Sequence, residues 1–375
     1  MKTVVMNMSD IQYMQRAFEL AKKGVGRVNP NPLVGAVIVK NGTLIGEGYH
    51  QKYGEPHAEV NAFSSLTESA ENATMYVTLE PCSHFGKTPP CVDAVIKSGV
   101  SRVVVGSLDP NPLVAGRSIT KMCKAGIEVE VGVLQTECDE LNAVFFHYIT
   151  TKTPYVIMKY AMTADGKIAT RTGVSRWITG AEARNRVHAD RNRIAGIMIG
   201  VGTVLADDPM LDCRTEKDPK NPIRIVCDST LRLPISSRIV ATAGQIPTIL
   251  LTSIIDEKIH EPYLASGCTV LPVPRKNDKL DLEFGLKLLG AMGIDSILLE
   301  GGATLNASML EARLVQKVQT YIAPKIFGGK NAPSPVAGIG VDIPDNAYIL
   351  KNTKTTILGA DILIESEVDY SCLQE

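Results

Sequence analysis

His57, Glu59, Cys82 and Cys91 are the residues of this chain whose types and spacing most directly imply chemistry. One imidazole and two thiolates form a donor set suited to Zn2+. A closed structural zinc site needs a fourth Cys or His, whereas three protein ligands leave one tetrahedral corner for water, as water activation requires. Two thiolates neutralise the metal charge, with His57 binding as neutral imidazole. Glu59 lies two residues from His57, so the two share no helix face. Both serve one centre only if the metal sits off the N-terminal end of a helix, and Pro56-His57 reads as a helix start. Glu59 is then a catalytic carboxylate outside the ligand set, moving protons between the activated water and the leaving group. Any one of these residues alone reads as an ordinary histidine or buried thiol; together they read as an open hydrolytic metal site.

The elements that must position this set are legible as an α/β pattern. Strand candidates are Gly35 to Lys40, Thr74 to Leu79, Arg102 to Gly106 and Glu128 to Gly132. Helical patterns separate them at Ile11 to Lys22, His57 to Leu66, Cys91 to Lys97 and Arg117 to Lys124, an arrangement that covers both faces of a sheet. Asn41-Gly42 marks a hairpin turn, Ser9-Asp10 a helix cap, and the first seven residues are expected to fray. A helix from Glu137 to Tyr148 is expected to end before Pro154. This places a boundary near Thr150 to Pro154, dividing the chain into residues 1–150 and 151–375. Strands are then expected at Tyr155 to Ala161, Ala195 to Ile199, Ile223 to Cys227, Thr248 to Thr252, Thr269 to Pro272, Ser296 to Glu300 and Val318 to Ile322. A final pair is expected at Thr355 to Leu358 and Asp361 to Glu365.

Two glycine loops follow strands in the second half, Ile199-Gly-Val-Gly-Thr203 and Leu299-Glu-Gly-Gly-Ala-Thr-Leu-Asn306, the latter running into a helix from Thr304 to Ala312. Backbone amides at such a helix start suit a pyrophosphate. Each loop alone reads equally as a tight turn, and the common Gly-x-Gly-x-x-Gly fingerprint is absent.

Zinc deaminases of nucleobases use this His-x-Glu and Cys/Cys logic with two residues between the cysteines; here there are eight. That spacer, Cys82-Ser-His-Phe-Gly-Lys-Thr-Pro-Pro-Cys91, together with Asn29-Pro-Asn-Pro-Leu-Val-Gly35, resembles the deaminase half of the bifunctional riboflavin-biosynthesis enzymes. Lys159-Tyr-Ala-Met-Thr-Ala-Asp-Gly-Lys167, Ser175-Arg-Trp-Ile-Thr179, Thr203-Val-Leu-Ala-Asp-Asp-Pro209, Glu300-Gly-Gly302 and Ala323-Pro-Lys-Ile-Phe-Gly-Gly329 follow in the order of the reductase half. The resemblance runs from about Ser9 onward. It implies a cytidine-deaminase-like three-layer α/β/α domain over 1–150 and a dihydrofolate-reductase-like α/β domain over 151–375. The first would remove the 2-amino group of a diaminopyrimidinone carrying a phosphoribosylamino arm. The second would use NADPH to convert the ribosyl group of that product to a ribityl chain.

Carried over residue by residue, the resemblance makes His57, Cys82 and Cys91 the zinc ligands. Asn31 and His50 would contact the pyrimidine, Lys87 the phosphate, and Asp109 and Asn111 the substrate. Turn chemistry beside prolines is an alternative for Asn31, Asp109 and Asn111, and a solvated loop position for Lys87. Ala161, Trp177, Thr203, Asp207, Ser229 and the loop Gly302, Ala303, Thr304, Leu305, Asn306, Ala307, Ser308 would contact NADPH. Ser175, Arg191, Leu211, Arg214 and Glu300 would contact substrate, with Arg191 and Arg214 suited to its phosphate. The alternative for Arg191, in a run with Arg184, Arg186 and Arg193, is a solvated helix face; for Trp177 it is core packing. Lys159 and Asp207 are the catalytic candidates for proton transfer during ring opening. Met162 and Ala164 depart from the family pattern and leave Lys159, Asp165 and Gly166 in place.

Composition bounds the alternatives. Lys and Arg number 39 against 40 Asp and Glu, for a net charge of -1, and aromatic residues are 5%. A rival deaminase acting on a base in tRNA or DNA, with a non-catalytic C-terminal half, needs a basic groove and stacking platforms. We therefore expect a small-molecule pyrimidine ribotide as partner and no nucleic acid. No run of eighteen apolar residues occurs, so no membrane span is expected. The eight cysteines in 375 residues fit a reducing cytoplasm better than a disulfide framework. A homo-oligomer is expected.

Overall fold

Strands that are apolar on both sides require a sheet covered on both faces, and two such sheets organise this chain. The computed structural model describes residues 8–83, 89–111, 114–215 and 219–371. The chain divides into two compact units, Met1–Lys152 and Thr153–Glu375.

The first unit runs α1 (Met8–Lys22), β1 (Gly35–Lys40), β2 (Thr43–Tyr49), α2 (Ala58–Ser64), β3 (Thr74–Leu79), α3 (Cys91–Lys97), β4 (Arg102–Ser107), α4 (Arg117–Lys124), β5 (Glu128–Val131), α5 (Gln135–Leu141) and α6 (Ala143–Thr151). The sheet order is β2-β1-β3-β4-β5. β1 is antiparallel to both neighbours, and β3, β4 and β5 are parallel. Alternation sends Ala36, Ile38, Met75, Val77, Val103 and Val105 to one face, against Ala58 and Ala62 of α2, Val92 and Val95 of α3 and Met122 of α4. Val37, Val39, Tyr76 and Val104 face the other way, against Met14, Ala17 and Leu20 of α1. The result is the three-layer arrangement that the resemblance implies. Because β1 runs against β3, the residues just before β1 reach the same sheet end as the residues just after β3 and β4, which is where ligands meet parallel sheets.

The second unit runs β6 (Tyr155–Thr163), α7 (Ala181–Arg193), β7 (Gly196–Gly200), α8 (Val201–Asp207), β8 (Ile223–Cys227), α9 (Arg238–Ala241), β9 (Thr248–Thr252), α10 (Glu257–Ala265), β10 (Thr269–Pro272), β11 (Arg275–Lys276), β12 (Lys279–Leu280), α11 (Leu282–Ala291), β13 (Ser296–Leu299), α12 (Ala303–Glu311), β14 (Lys317–Ala323), β15 (Ile349–Leu358) and β16 (Asp361–Asp369). The main sheet has the order β10-β9-β8-β7-β13-β6-β14-β16-β15. It is parallel from β10 through β14 and closes with two antiparallel strands. Met158, Met198, Ile225 and Leu299 pack under Leu286 and Leu289 of α11 and Met309 of α12. Ile197, Ile199, Val226 and Leu250 pack under Val204, Ile239 and Tyr263 of α8, α9 and α10. Among the described residues no helix is long and apolar enough to cross a membrane.

Several local readings change, among them the final strand pair, which runs over Ile349–Leu358 and Asp361–Asp369 instead of Thr355 to Leu358 and Asp361 to Glu365. The helix expected from Glu137 to Tyr148 is two helices, α5 and α6, broken at Asn142, whose buried side chain accepts from the Leu33 amide at 2.8 Å and donates to the Leu33 carbonyl at 3.0 Å. The chain leaves α6 at Lys152 in the left-handed region, two residues before Pro154. The helix expected to open at His57 starts at Ala58, with His57 as its cap. Residues 1–7, expected to fray, lie outside the described residues.

The closest approach in the first unit is at Gly35, where α1 lies directly on the strand. An added Cβ there would sit 1.9 Å from the Ala17 carbonyl oxygen and 2.8 Å from the Ala21 nitrogen. Gly35→Ala is therefore expected to destabilise the first unit by about 1–3 kcal/mol through overpacking. Urea unfolding of the variant checks this; an unchanged midpoint would show that α1 is not seated on β1.

Candidate functional site

Cys82 follows β3 by three residues, His57 caps α2, and Cys91 is the first residue of α3. Their ligand atoms lie within 4.8 Å of one another. His57 Nδ1 is 3.6 Å from Cys82 Sγ and 3.3 Å from Cys91 Sγ. Those separations match the edge of about 3.5 Å expected for a zinc tetrahedron with Zn–S and Zn–N bonds of about 2.3 and 2.0–2.1 Å. The Cys91 amide donates to Cys82 Sγ at 3.3 Å, favouring thiolate there. No fourth His, Cys, Asp or Glu joins the group among the described residues.

Glu59, only 3% exposed, is the second residue of α2, in its first turn beside this group. Burial, and then the Cys82 charge, raise its carboxyl pKa. Without a cation the donors divide their protons unevenly. The Cys82 pKa is lowered, first by its hydrogen bond to Cys91, while that same bond and burial raise Cys91. The His57 pKa is raised, first by its bond to Cys82. Three convergent ligand atoms and a carboxyl competing for protons in one buried place suit a cation, and the donor set fits zinc.

A cavity of about 250 Å3 opens over this cluster, lined also by Asn31, His50, Glu80, Asp109, Asn111 and Phe145. His50 is buried; its Nδ1 donates to the Pro56 carbonyl at 3.1 Å, so Nε2 accepts from Asn31 Nδ2, also at 3.1 Å. Burial lowers the His50 pKa, consistent with a neutral ring. The structure thus brings four of the five sequence-identified substrate residues to the metal group; the fifth, Lys87, lies outside the described residues. The turn alternative also holds in part, since the Asn111 amide donates to Asp109 Oδ1 at 2.8 Å. Sequence reasoning missed Glu80. This buried carboxylate accepts from the amides of Asp109 (3.3 Å), Gly116 (3.0 Å) and Ser118 (3.3 Å) and from Ser118 Oγ (2.5 Å), fixing the loop that carries Asp109 and Asn111. Its only sequence signal is its place in Glu80-Pro-Cys82.

In the second unit, two cavities meet at one wall. The larger, about 750 Å3, is framed by the two glycine turns and lined by Ser229 and by Gly302 to Ser308 with the exception of Ala307. Gly301 and Gly302 have φ of +141° and +81°, which the strand-to-helix turn requires. The smaller, about 560 Å3, is lined by Trp177, Arg191, Leu211, Arg214 and Tyr321. Lys159, Ala161, Ser175, Thr203, Asp207 and Glu300 face both. Two placements differ from the sequence reading. Ala307 is buried on the inner face of α12. Trp177 stands with the expected substrate residues instead of the glycine turns, 62% exposed and under the Arg184 guanidinium at 4.7 Å, so it is not core either.

Glu300 organises the shared wall. Arg191 grips it at 2.7 and 2.9 Å, and Lys159 Nζ stands 3.5 Å away. Burial alone would raise the Glu300 carboxyl; the charges of Arg191 and Lys159 outweigh it and hold the pKa at about 2. Ser175 Oγ donates to Asp207 Oδ1 at 3.1 Å. Arg191 also donates to the Asp212 carbonyl at 2.9 Å, so its fork is turned into the protein and away from the phosphate-gripping role expected of it. Arg214 is the more available cation of the pair, its side chain 62% exposed and 3.5 Å from Asp212. The arginine run of α7 is not a solvated face. Arg193 and Arg186 reach the buried Asp190 at 2.8 and 3.5 Å, Gln319 donates to Asp190 at 3.1 Å, and Arg186 reaches Glu365 at 3.5 Å. Beneath this region, fully buried Arg224 donates to the carbonyls of Met210, Ile239 and Ile246 and to the hydroxyls of Thr242 and Thr248, bracing the loop that carries Leu211. Tyr321, whose buried hydroxyl has no hydrogen-bond partner among the described residues, was also missed in the sequence.

Two family models match the chain. Residues 7–107 match the family model described as the cytidine and deoxycytidylate deaminase zinc-binding region, and residues 154–364 match the RibD C-terminal domain. The riboflavin biosynthesis protein RibD of Actinobacillus pleuropneumoniae is 52% identical over 96% of this chain and 95% of its own length. That of Escherichia coli strain K12 is 42% identical over 86% and 89%. Among solved structures, Acinetobacter baumannii RibD superposes with a TM-score of 0.85 at 36% identity, covering 96% of this chain and 99% of that one. A diaminohydroxyphosphoribosylaminopyrimidine deaminase/5-amino-6-(5-phosphoribosylamino)uracil reductase from Thermotoga maritima gives 0.82 at 38%, with the same coverages.

The Glu300 pKa carries a pH consequence. Since it is depressed from 4.5 to about 2, its contribution to stability is complete above about pH 4.5 and is lost as pH falls towards about 2. Thermal melts of the wild type and Glu300→Gln should therefore converge between about pH 5 and pH 2.5. A stability gap that stays constant across that range would mean Glu300 is not ion-paired in the folded protein.

Proposed function

Because the chain belongs to the RibD family of riboflavin biosynthesis proteins, we propose that each unit holds one complete active site, with residues 1–150 as the deaminase domain and 151–375 as the reductase domain. The protein catalyses two consecutive steps. The first is zinc-dependent hydrolytic deamination of 2,5-diamino-6-(5-phosphoribosylamino)pyrimidin-4(3H)-one to 5-amino-6-(5-phosphoribosylamino)uracil. The second is NADPH-dependent reduction of the ribosyl group, giving 5-amino-6-(5-phosphoribitylamino)uracil. The convergence of His57, Cys82 and Cys91 beside buried Glu59 carries the first reading.

In the deaminase site, His57 Nδ1 and the sulfurs of Cys82 and Cys91 hold the metal. Zinc bound there supplies the Lewis acidity that makes water a nucleophile near neutral pH. Glu59 takes one proton from the attacking water to the ring nitrogen and then carries the second, from the hydroxyl so added, to the leaving amine, which departs as ammonia; a carboxyl whose pKa is raised by burial suits both the taking and the giving. His50, fixed by Pro56, orients Asn31 so that its amide oxygen can accept from the pyrimidine. Asp109 and Asn111, on the loop tied down by Glu80, read the remaining polar edge, and Lys87 meets the phosphate.

In the reductase site, Ala161, Thr203, Asp207, Ser229, Gly302 to Asn306 and Ser308 bind NADPH, which supplies the hydride delivered to the sugar's C1 carbon. Ser175, Leu211, Arg214 and Glu300 hold the substrate. Arg191 acts through Glu300, and Trp177 caps the sugar side. Lys159 Nζ and the Asp207 carboxylate are the groups that move a proton as the ribosyl ring opens. The reading of the chain as a tRNA or DNA base deaminase is not favoured, since its second half matches the RibD C-terminal domain over 154–364.

We place the protein in the cytoplasm as a homo-oligomer acting on a small molecule. The free thiols Cys123, Cys138, Cys213, Cys227 and Cys268 support the compartment. The edge strand β15, with Ile349, Leu350 and Ile357 exposed, supports self-association; sizing chromatography tests it.

Glu59→Gln should retain one zinc per chain by metal analysis and lose at least about 10^2-fold in ammonia release. It should still oxidise NADPH when given the deaminated product. Full ammonia release by the variant would remove Glu59 from the proton path, and NADPH oxidation that ignores the deaminated product would overturn the reductase assignment.

A further inference from the structure

We propose that Arg232, with Ser229 beside it, forms the subsite that selects NADPH over NADH by gripping the phosphate on the adenosine 2′-oxygen. The inference rests on the NADPH-dependent reductase reading and assigns the part of that site which fixes the cofactor's identity. Its starting point is the loop after β8, Asp228 to Leu233, at the lip of the larger cavity, which Ser229 and Arg232 both line.

In parallel α/β sheets that bind NAD, an acid near a strand end takes the ribose 2′-hydroxyl, whereas in those that bind NADP an arginine accommodates the phosphate instead. This loop contains an acid, Asp228, but it is only 1% exposed. Its Oδ2 accepts from the Leu233 amide at 2.7 Å and its Oδ1 from the Thr230 amide at 3.4 Å. The carboxylate is thus committed to holding the turn. What the loop presents to the cavity is a hydroxyl and a guanidinium.

The backbone on both sides of Arg232 is fixed. Tyr263 Oη donates to the carbonyls of Leu231 and Leu233 at 3.2 and 2.8 Å. Ser253 donates to the Ser229 carbonyl from its amide at 3.2 Å and from its hydroxyl at 2.7 Å. Arg232 itself is exposed and makes no hydrogen bond or ion pair among the described residues. Of the lysines that line the cavity, Lys279 is paired with Glu311 at 3.1 Å beside the negative charge of Asp278, and Lys159 is committed to Glu300. A rigidly based, unpartnered guanidinium is therefore the best available phosphate fork on this rim.

The test is calorimetric titration of the zinc-loaded full-length protein with NADPH, NADH, adenosine 2′,5′-bisphosphate and adenosine 5′-monophosphate. Arg232→Ala should weaken NADPH and the bisphosphate by about 10- to 100-fold. NADH and the monophosphate should bind as before. Lys279→Ala should keep the wild-type preference. The proposal is overturned if Arg232→Ala still prefers NADPH as strongly as the wild type, or if Lys279→Ala loses the preference instead. Wild-type protein that binds neither nicotinamide would remove the reductase reading as well, which separates that failure from a misplaced subsite.

Discussion

Two thiolates and a carboxylate cannot share a buried pocket without a cation to balance them. In the first unit that constraint gathers Cys82, Cys91 and Glu59 around the His57 ring, and the layout of the unit follows from it. The strand β3 must end where it does for Cys82 to face α2. The cap of α2 and the first residue of α3 must point at the same volume. Glu80, two residues before Cys82, then ties the loop after β4 to the same sheet end through three amides and a hydroxyl. Charge balance at the cluster and placement of the loop that carries Asp109 and Asn111 are thereby two results of one local geometry.

The second unit solves a related problem with its own residues. Glu300 is buried between Arg191 and Lys159, and Asp190 between Arg193, Arg186 and Gln319. Each carboxylate is desolvated and each is answered by cations in hydrogen-bonding reach, the condition under which buried charge is tolerated. The effect is to stiffen the wall between the two cavities, because Arg191 spans from α7 to the end of β13 and on to the Asp212 carbonyl. Preorganised polar walls of this kind hold reacting groups without reorganising when charge moves.

The zinc group was legible because three ligand types and an intact spacer rarely coincide by chance, and strands such as Thr74–Leu79 and Ile223–Cys227 were legible because they are short, apolar and flanked by turn residues. The rest was hidden for physical reasons. The second strand of the first sheet, Thr43–Tyr49, carries Gly46 and Gly48, whose missing side chains make room for α2 and blur the pattern. The break at Asn142 depends on a partner more than a hundred residues away. The inner face of α7 is charged, so no apolar periodicity announces it, and the arginine run read as solvated. Glu80 and Asp228 look like ordinary loop acids until their amide donors are visible. Arg191 kept its place at the site and changed its partner, since spacing reveals a guanidinium but not the carboxylate it will choose.

The wall made by Lys159, Ala161, Ser175, Thr203, Asp207 and Glu300 faces two cavities at once. Whatever one occupant does to the stiffness or protonation of those six side chains is felt by the other. Thermodynamic linkage then makes the exchange symmetric: the factor by which the dinucleotide changes the sugar phosphate's affinity is the factor by which the sugar phosphate changes the dinucleotide's. Two occupants of these cavities are therefore described by one coupling constant in addition to their separate affinities, and the six shared side chains are the residues that touch both.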